Sequence, residues 1–382
     1  MVVLAKSLVA LAASLSVVSA HPGHDVKAEK AERAESLSKL QHRSLAHCAE
    51  KLKARGIEAA NVARRQEAVN TLREKRSLKR RDFEQVLNTD HSSNETYTED
   101  TPPEILFGSN NTCILTPEVT EGPYYVSGEY VRRDVREGQT GVDLTYEVQI
   151  IDTTTCDPIP NVYLEQWATN ATGVYGGIAG GSGNGVADPG NINNTAIRGI
   201  QGSDANGIVT FDTIFPGHYT GRTAHIHVLA HHNATVLANN TLAGGSISHV
   251  GQLFFDQSLI SLVEAAAPYN TNTQPLTTNA QDGIFAEEAA NVDPVLHYTL
   301  VGNSIEEGLF GWISFGLDST VNKTVRAAAS WTENGGVPNP NAGGPGGPGG
   351  PGGSGRPPPS GGFPPPTGAP FPTSTGTPVR RF

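Results

Sequence analysis

Between residue 113 and about residue 331 the chain is made of short runs in which β-branched and aromatic residues alternate with polar ones. Gly, Pro, Asn or Asp closes each run. The clearest are 143–151 (DLTYEVQII), 162–167 (VYLEQW), 208–211 (IVTF), 225–230 (HIHVLA) and 252–255 (QLFF). Runs this short, punctuated this often, suit strands and not helices. A long series of them implies two packed sheets or a closed barrel. The expected fold is therefore all-β, a β-sandwich core with an N-terminal helical segment and a Gly/Pro-rich C-terminal tail.

The flanks read differently. Residues 1–20 carry one lysine, an apolar run and a Val18-Ser19-Ala20 end, the pattern of a secretory signal. Polar sequence follows at once, so no membrane anchor is expected. Seven Asn-x-Ser/Thr sequons, at Asn94, Asn110, Asn170, Asn193, Asn233, Asn239 and Asn322, agree with a secreted, extracellular glycoprotein. Residues 21–81 are rich in Ala, Glu, Lys, Arg and Leu. Leu45, Cys48 and Leu52 fall at helical spacing, Gly56 closes a first helix, and a second runs to about Arg76. Lys79-Arg80-Arg81 is a basic cluster of the kind processing proteases cut. The segment reads as a propeptide, a dimerising arm or a helix pair packed on the main domain. Residues 82–112 read as a linker, 113–335 as the β domain, and 336–382 as a Gly/Pro tract that builds no core. The tract suits a stalk or association with a cell wall or surface.

Three cysteines are too few for a disulfide-built scaffold. Cys113 and Cys156 sit at the edges of the strand region and form the expected pair in an oxidising compartment, leaving Cys48 over. Charge is unevenly spread: 16 Lys+Arg against 8 Asp+Glu over 21–81, but 7 against 30 over 82–335. So acidic a domain argues against a nucleic-acid partner.

Within the β domain, strand alternation places His225 and His227 on one face, where two imidazoles can share an ion. Tyr219 lies six residues before His225, and Tyr175 lies further upstream. Two imidazoles and two phenolates form a hard, anionic set that suits Fe(III) better than Zn(II) or Cu(I). A cupin-type site wants a Glu three or four residues after the second histidine, where this chain has Ala230 and His231. A copper site on His21 and His24 is weakened by Pro22, which removes a backbone N–H ligand.

The ordered motifs resemble the intradiol ring-cleavage dioxygenases. Trp167-Ala-Thr-Asn-Ala-Thr-Gly-Val-Tyr175 is similar to the segment that ends in that family's first tyrosinate ligand. Arg198-Gly199, Asp204-Ala-Asn-Gly207 and Phe211-Asp-Thr-Ile-Phe-Pro-Gly-His-Tyr219 resemble the segment that ends in the second. Arg222-Thr-Ala-His225-Ile-His227 is similar to the element giving both histidines, and Gly251-Gln252 to the strand bearing an active-site glutamine. The stretch from Cys113 to Tyr125 resembles the entry segment of the substrate pocket, with Gly122, Pro123 and Tyr124 as its wall. Together these cover about 113–256. Only two residues separate Tyr219 from Arg222, fewer than in the intracellular catechol and protocatechuate enzymes, which points to a shorter, secreted branch.

The resemblance implies a non-haem Fe(III) on Tyr175, Tyr219, His225 and His227, with Tyr219 also taking a substrate proton. Arg222 would supply a fixed positive field and Gln252 would orient the substrate. The substrate would be a catechol, opened by O2 between its hydroxylated carbons to a muconate-type diacid. Arg132 or Arg133 would serve a carboxylated catechol. The competing reading is a non-catalytic secreted β-sandwich binding module with a degenerate metal site.

Overall fold

The alternating runs become two stacked sheets. A computed structural model of the chain describes residues 45–78, 122–179, 188–289 and 293–339. Its strands in chain order are β1 Val126–Ser127, β2 Asp143–Asp152, β3 Tyr163–Trp167, β4 Arg198–Gly202, β5 Ile208–Ile214, β6 His225–His232, β7 Thr235–Val236, β8 Leu242–Ala243, β9 Ser246–Phe254, β10 His297–Leu300, β11 Leu309–Leu317, β12 Ala329–Thr332 and β13 Gly335–Pro338. The first large sheet has the order β10-β11-β2-β5 and the second β4-β3-β6-β9. Neighbours are antiparallel throughout, except for the parallel pair β11 and β2. The architecture is the expected all-β sandwich with N-terminal helices.

Side-chain alternation divides each sheet into two faces. Leu144, Tyr146, Val148 and Ile150 of β2 meet Ile226, Val228 and Ala230 of β6 and Leu253 of β9 in the central core. The intervening residues point outward, yet they too are buried. Both sheets are therefore covered on their outer faces, and the two covers differ.

The first sheet is covered by the N-terminal arm. Its helices are Ala49–Ala54 and Ile57–Lys75, with Gly56 between them at φ +69°. Leu45, Cys48 and Leu52 are all buried and pack on Ile151 and Cys156. Val69 packs against Phe310 and Trp312. The Arg65 Nε donates to Glu147 Oε1 at 2.7 Å, with both side chains buried, and Asn61 donates to Gln149 Oε1 at 2.7 Å. The described part of the arm is thus a helix pair packed on the main domain.

A disulfide joins Cys48 to Cys156, which corrects the expected Cys113–Cys156 pair. Packing of the arm on Ile151 carries Cys48 to the turn after β2, with a Cα–Cα distance of 5.2 Å, well within bonding range. Cys113 lies outside the described residues. His47 Nε2 approaches Cys48 Sγ at 3.3 Å, but both sulfurs are consumed by the disulfide and offer no thiolate to a metal.

Three further departures have local causes. β9 begins at Ser246, before the Gln252 start read from sequence, and its first six residues, Ser-Ile-Ser-His-Val-Gly, mix apolar and polar side chains. β11 is apolar except for Ser314 and buried on both faces, so it shows no alternation. β13 pairs with β12 through a turn in which Gly335 takes φ +98°, so ordered structure runs to Pro338, past the expected boundary at 335. Residues 1–20, read above as a signal, residues 82–112 and the tail beyond 339 lie outside the described residues. Among the described residues no helix is long and apolar enough to cross a membrane.

Candidate metal centre

The outer face of the second sheet carries the chemistry. His225 and His227 both project from β6 onto this face, and each is almost wholly buried. Trp167 of β3 pairs in register with His227 and stacks on its ring, with centroids 4.8 Å apart and planes 1° from parallel. His225 Nδ1 lies 2.6 Å from the Thr223 carbonyl. A carbonyl can only accept, so Nδ1 carries the proton and Nε2 presents its lone pair.

Two loops bring the phenols to these nitrogens. Asn170 folds the first loop by accepting from the Thr172 and Val174 N–H groups, each at 3.0 Å. Gly173 follows at φ +77°, and a Cβ there would collide with the His218 carbonyl, so only glycine lets the Tyr175 and Tyr219 loops close together. The second loop is a tight turn in which Arg222 N–H donates to the Tyr219 carbonyl at 3.0 Å. Gly221 supplies the positive φ that this two-residue connection requires.

The outcome is a convergence of ligand-type atoms. Tyr175 Oη lies 3.2 Å from His225 Nε2, which lies 3.1 Å from His227 Nε2. Ligands bound at about 2.1 Å and at right angles would be separated by about 3.0 Å, so these spacings match those of atoms that share one ion. The Tyr175 and Tyr219 rings meet edge to face at 5.5 Å, and Tyr219 meets His225 at 5.6 Å. Tyr219 Oη is buried with no hydrogen-bond partner among the described residues. Leaving such a group unpaired costs about 1–3 kcal/mol. Burial pushes both phenols above their ordinary pKa, with Arg222 opposing the shift. Only a strongly charged cation would hold them as phenolates. The donor set and the orphaned Tyr219 oxygen therefore fit a metal ion.

The remaining predicted residues gather around these four. A Cβ on Gly122 would stand 3.2 Å from His227 Cε1, so the Gly122 backbone lies against that ring. Pro123 is buried beside it. Tyr124 stacks on Tyr175 with centroids 4.6 Å apart. Gln252 of β9 pairs in register with His227, and its Oε1 accepts from Arg222 Nη2. Arg132 and Arg133 both engage protein partners. Arg132 is bound to Glu137 and to the Thr195 and Arg198 carbonyls, and Arg133 to Asp212.

Two buried charges were not assigned roles from sequence. Arg198 donates to the Tyr124 carbonyl at 2.6 Å, to the Gly176 carbonyl at 2.7 Å and to Glu129 at 2.9 Å, tying the pocket wall to the Tyr175 loop. Its place in an ordered motif was a usable signal. Asp282 binds Arg222 Nε at 2.9 Å. Burial opposes its ionisation, but Arg222 and nearby donors hold its pKa below the usual carboxylate range. Its separation from every other site residue hid it.

No protein-family model matches the chain, and no curated protein does. Among solved structures, it is similar to an intradiol ring-cleavage dioxygenase from Tetranychus urticae, at 29% identity over 58% of this chain and 100% of that one, with a TM-score of 0.47. This chain resembles the intradiol ring-cleavage dioxygenases. Another similar structure is the dioxygenase domain of a dioxygenase carbohydrate-binding protein fusion from Streptomyces sp. SirexAA-E, at 26% identity over 53% of this chain and 98% of that one, TM-score 0.35. Catechol 1,2-dioxygenase from Pseudomonas arvilla C-1 matches at 16% identity over 54% and 62%, TM-score 0.33.

Proposed function

We propose that this chain is a secreted, non-haem ferric dioxygenase that opens catechol-type rings between the two hydroxylated carbons, using O2, to give muconate-type diacids. The observation that carries the reading is the meeting of Tyr175 Oη, His225 Nε2 and His227 Nε2 at ligand-edge spacings beside the unpaired Tyr219 Oη.

A ferric ion held by Tyr175, Tyr219, His225 and His227 would supply Lewis acidity and an electron-accepting centre at which a deprotonated catechol becomes reactive toward O2. The protein's own groups do the rest. Tyr219 Oη, buried beside Tyr175 and Arg222, is the atom to receive a proton from a catechol hydroxyl. Arg222 keeps its charge despite complete burial and stabilises negative charge developing on the ring. Gly122, Pro123 and Tyr124 wall the site and exclude water. His225 is held in one tautomer by Thr223, and His227 in one plane by Trp167.

Secretion is supported by the signal-like residues 1–20 and by the Cys48–Cys156 disulfide. Asn233, Asn239 and Asn322 are exposed, as glycan acceptors must be. Asn170 is only partly exposed, and its Oδ1 folds the Tyr175 loop.

Ferric iron added to the purified protein should produce a broad visible tyrosinate charge-transfer band. A panel of catechols should then show oxygen uptake and ring-opened product masses. A protein that stays colourless and takes up no iron would return the chain to the non-catalytic binding module.

A further inference from the structure

Asp282 lies outside the stretch carrying the ordered motifs, 60 residues after Arg222, yet it is completely buried against the site. Both of its carboxylate oxygens are saturated. Oδ2 accepts from Arg222 Nε and from the Thr223 N–H, each at 2.9 Å. Oδ1 accepts from the Ile284 and Phe285 N–H groups, at 2.8 and 3.1 Å, where the helix Gly283–Ala289 begins. A carboxylate gripped by four donors is a fixed post.

Arg222, anchored at Nε, directs Nη2 to Gln252 Oε1. That contact settles the Gln252 amide. Its oxygen faces the guanidinium, so its NH2 must face away, and this NH2 is buried with no partner among the described residues. Gln252 stands in register opposite His227, on the face that carries the ligand atoms. A buried donor with nothing to donate to, beside such a centre, is arranged for an acceptor that arrives from outside.

We propose that Asp282 is a positioning residue that acts through Arg222 to present the Gln252 amide N–H to an anionic oxygen of the bound catechol. The role of that oxygen rests on the reading under Proposed function; the Asp282-to-Gln252 linkage does not. With Asp282 in place the guanidinium keeps one orientation, and Gln252 cannot flip its carbonyl toward the substrate.

The test is a double-mutant cycle on the full chain with D282N, R222A and the D282N/R222A pair. Iron content, the visible band, kcat and KM are read for each. D282N should keep its iron and band while kcat falls roughly tenfold to a hundredfold, the usual cost of removing such an outer partner. In the R222A background D282N should change kcat less than about twofold, as expected for two members of one unit. Effects that multiply, or wild-type kcat in D282N, would overturn the proposal.

An iron-independent readout separates this from the functional reading. The side-chain NH2 resonances of Gln252 should shift in the metal-free D282N and R222A proteins alike. Unchanged signals in D282N would sink the linkage whether or not iron binds. If wild-type protein binds no iron but those signals shift, the functional reading fails and the linkage stands. If D282N does not fold, R222K serves instead. It keeps the charge but cannot span both Asp282 and Gln252, so it should show the same kcat loss with iron retained, and wild-type kcat would count against us.

Discussion

The outer faces of the two sheets both bury charge, but they do it differently. On the first sheet, Arg65 closes on Glu147 and Asn61 on Gln149, inside an apolar border of Val69, Phe310 and Trp312. On the second, Arg222 closes on Asp282 and Arg198 on Glu129 Oε1, yet Gln252 Nε2, Glu129 Oε2, Glu165 Oε1 and Trp167 Nε1 are left over among the described residues. Polar groups that satisfy one another hold a fold together. Groups left unsatisfied at a cost of about 1–3 kcal/mol each are kept for something the chain alone does not supply.

The sharpest test of that contrast is at the second face. His227→Asn should abolish iron binding, measured by elemental analysis, and reduce ring cleavage to background. Full iron occupancy in that variant would remove His227 from the ligand set. At the first face, Cys48→Ala with Cys156→Ala releases a loop of 108 residues, and should cost roughly 4–5 kcal/mol in denaturant unfolding. Glu147→Ala strands Arg65 in the interior and should cost about 3–5 kcal/mol. The folded fraction of either variant should still take up iron; a colourless folded protein would show that the faces are not independent.

A pH effect lies between the faces. His249 is buried against Phe315, and burial lowers its pKa to about 3. The unfolded chain, with a value near 6.5, binds the proton more readily across that interval. Stability should therefore be complete above pH 6.5 and decline as the pH falls toward 3. His249→Leu should flatten this decline in melting temperatures taken at pH 7 and pH 4; an unchanged slope would place the acid sensitivity elsewhere. The smallest effect is expected from Tyr219→Phe. In the metal-free protein it should leave unfolding free energy within about 1 kcal/mol of the parent, because the hydroxyl makes no well-aligned hydrogen bond among the described residues. A loss as large as that of Glu147→Ala would erase the distinction between the two faces.

Legibility in the sequence followed the range of each signal. Strand alternation is local, so β2, β3, β5 and β6 and the shared face of His225 and His227 could be read directly. The Tyr175 and Tyr219 loops were readable because their Asn, Gly and Tyr residues stand in an ordered frame. β11 was not singled out because burial on both faces removes its alternation. The partner of Cys156 depends on how a helix pair docks on a sheet, which three cysteines in a row of letters do not encode. Asp282 has no repeat or spacing that ties it to Arg222.

The staple between Cys48 and Cys156 has a consequence for maturation. The basic cluster Lys79-Arg80-Arg81 follows the last described residue of the arm, and the β domain resumes at Gly122. Scission in that interval would sever the polypeptide without freeing its first portion, which would travel on as a second, sulfur-linked chain. Such a product would migrate as one species on a non-reducing gel and as two once thiol is added.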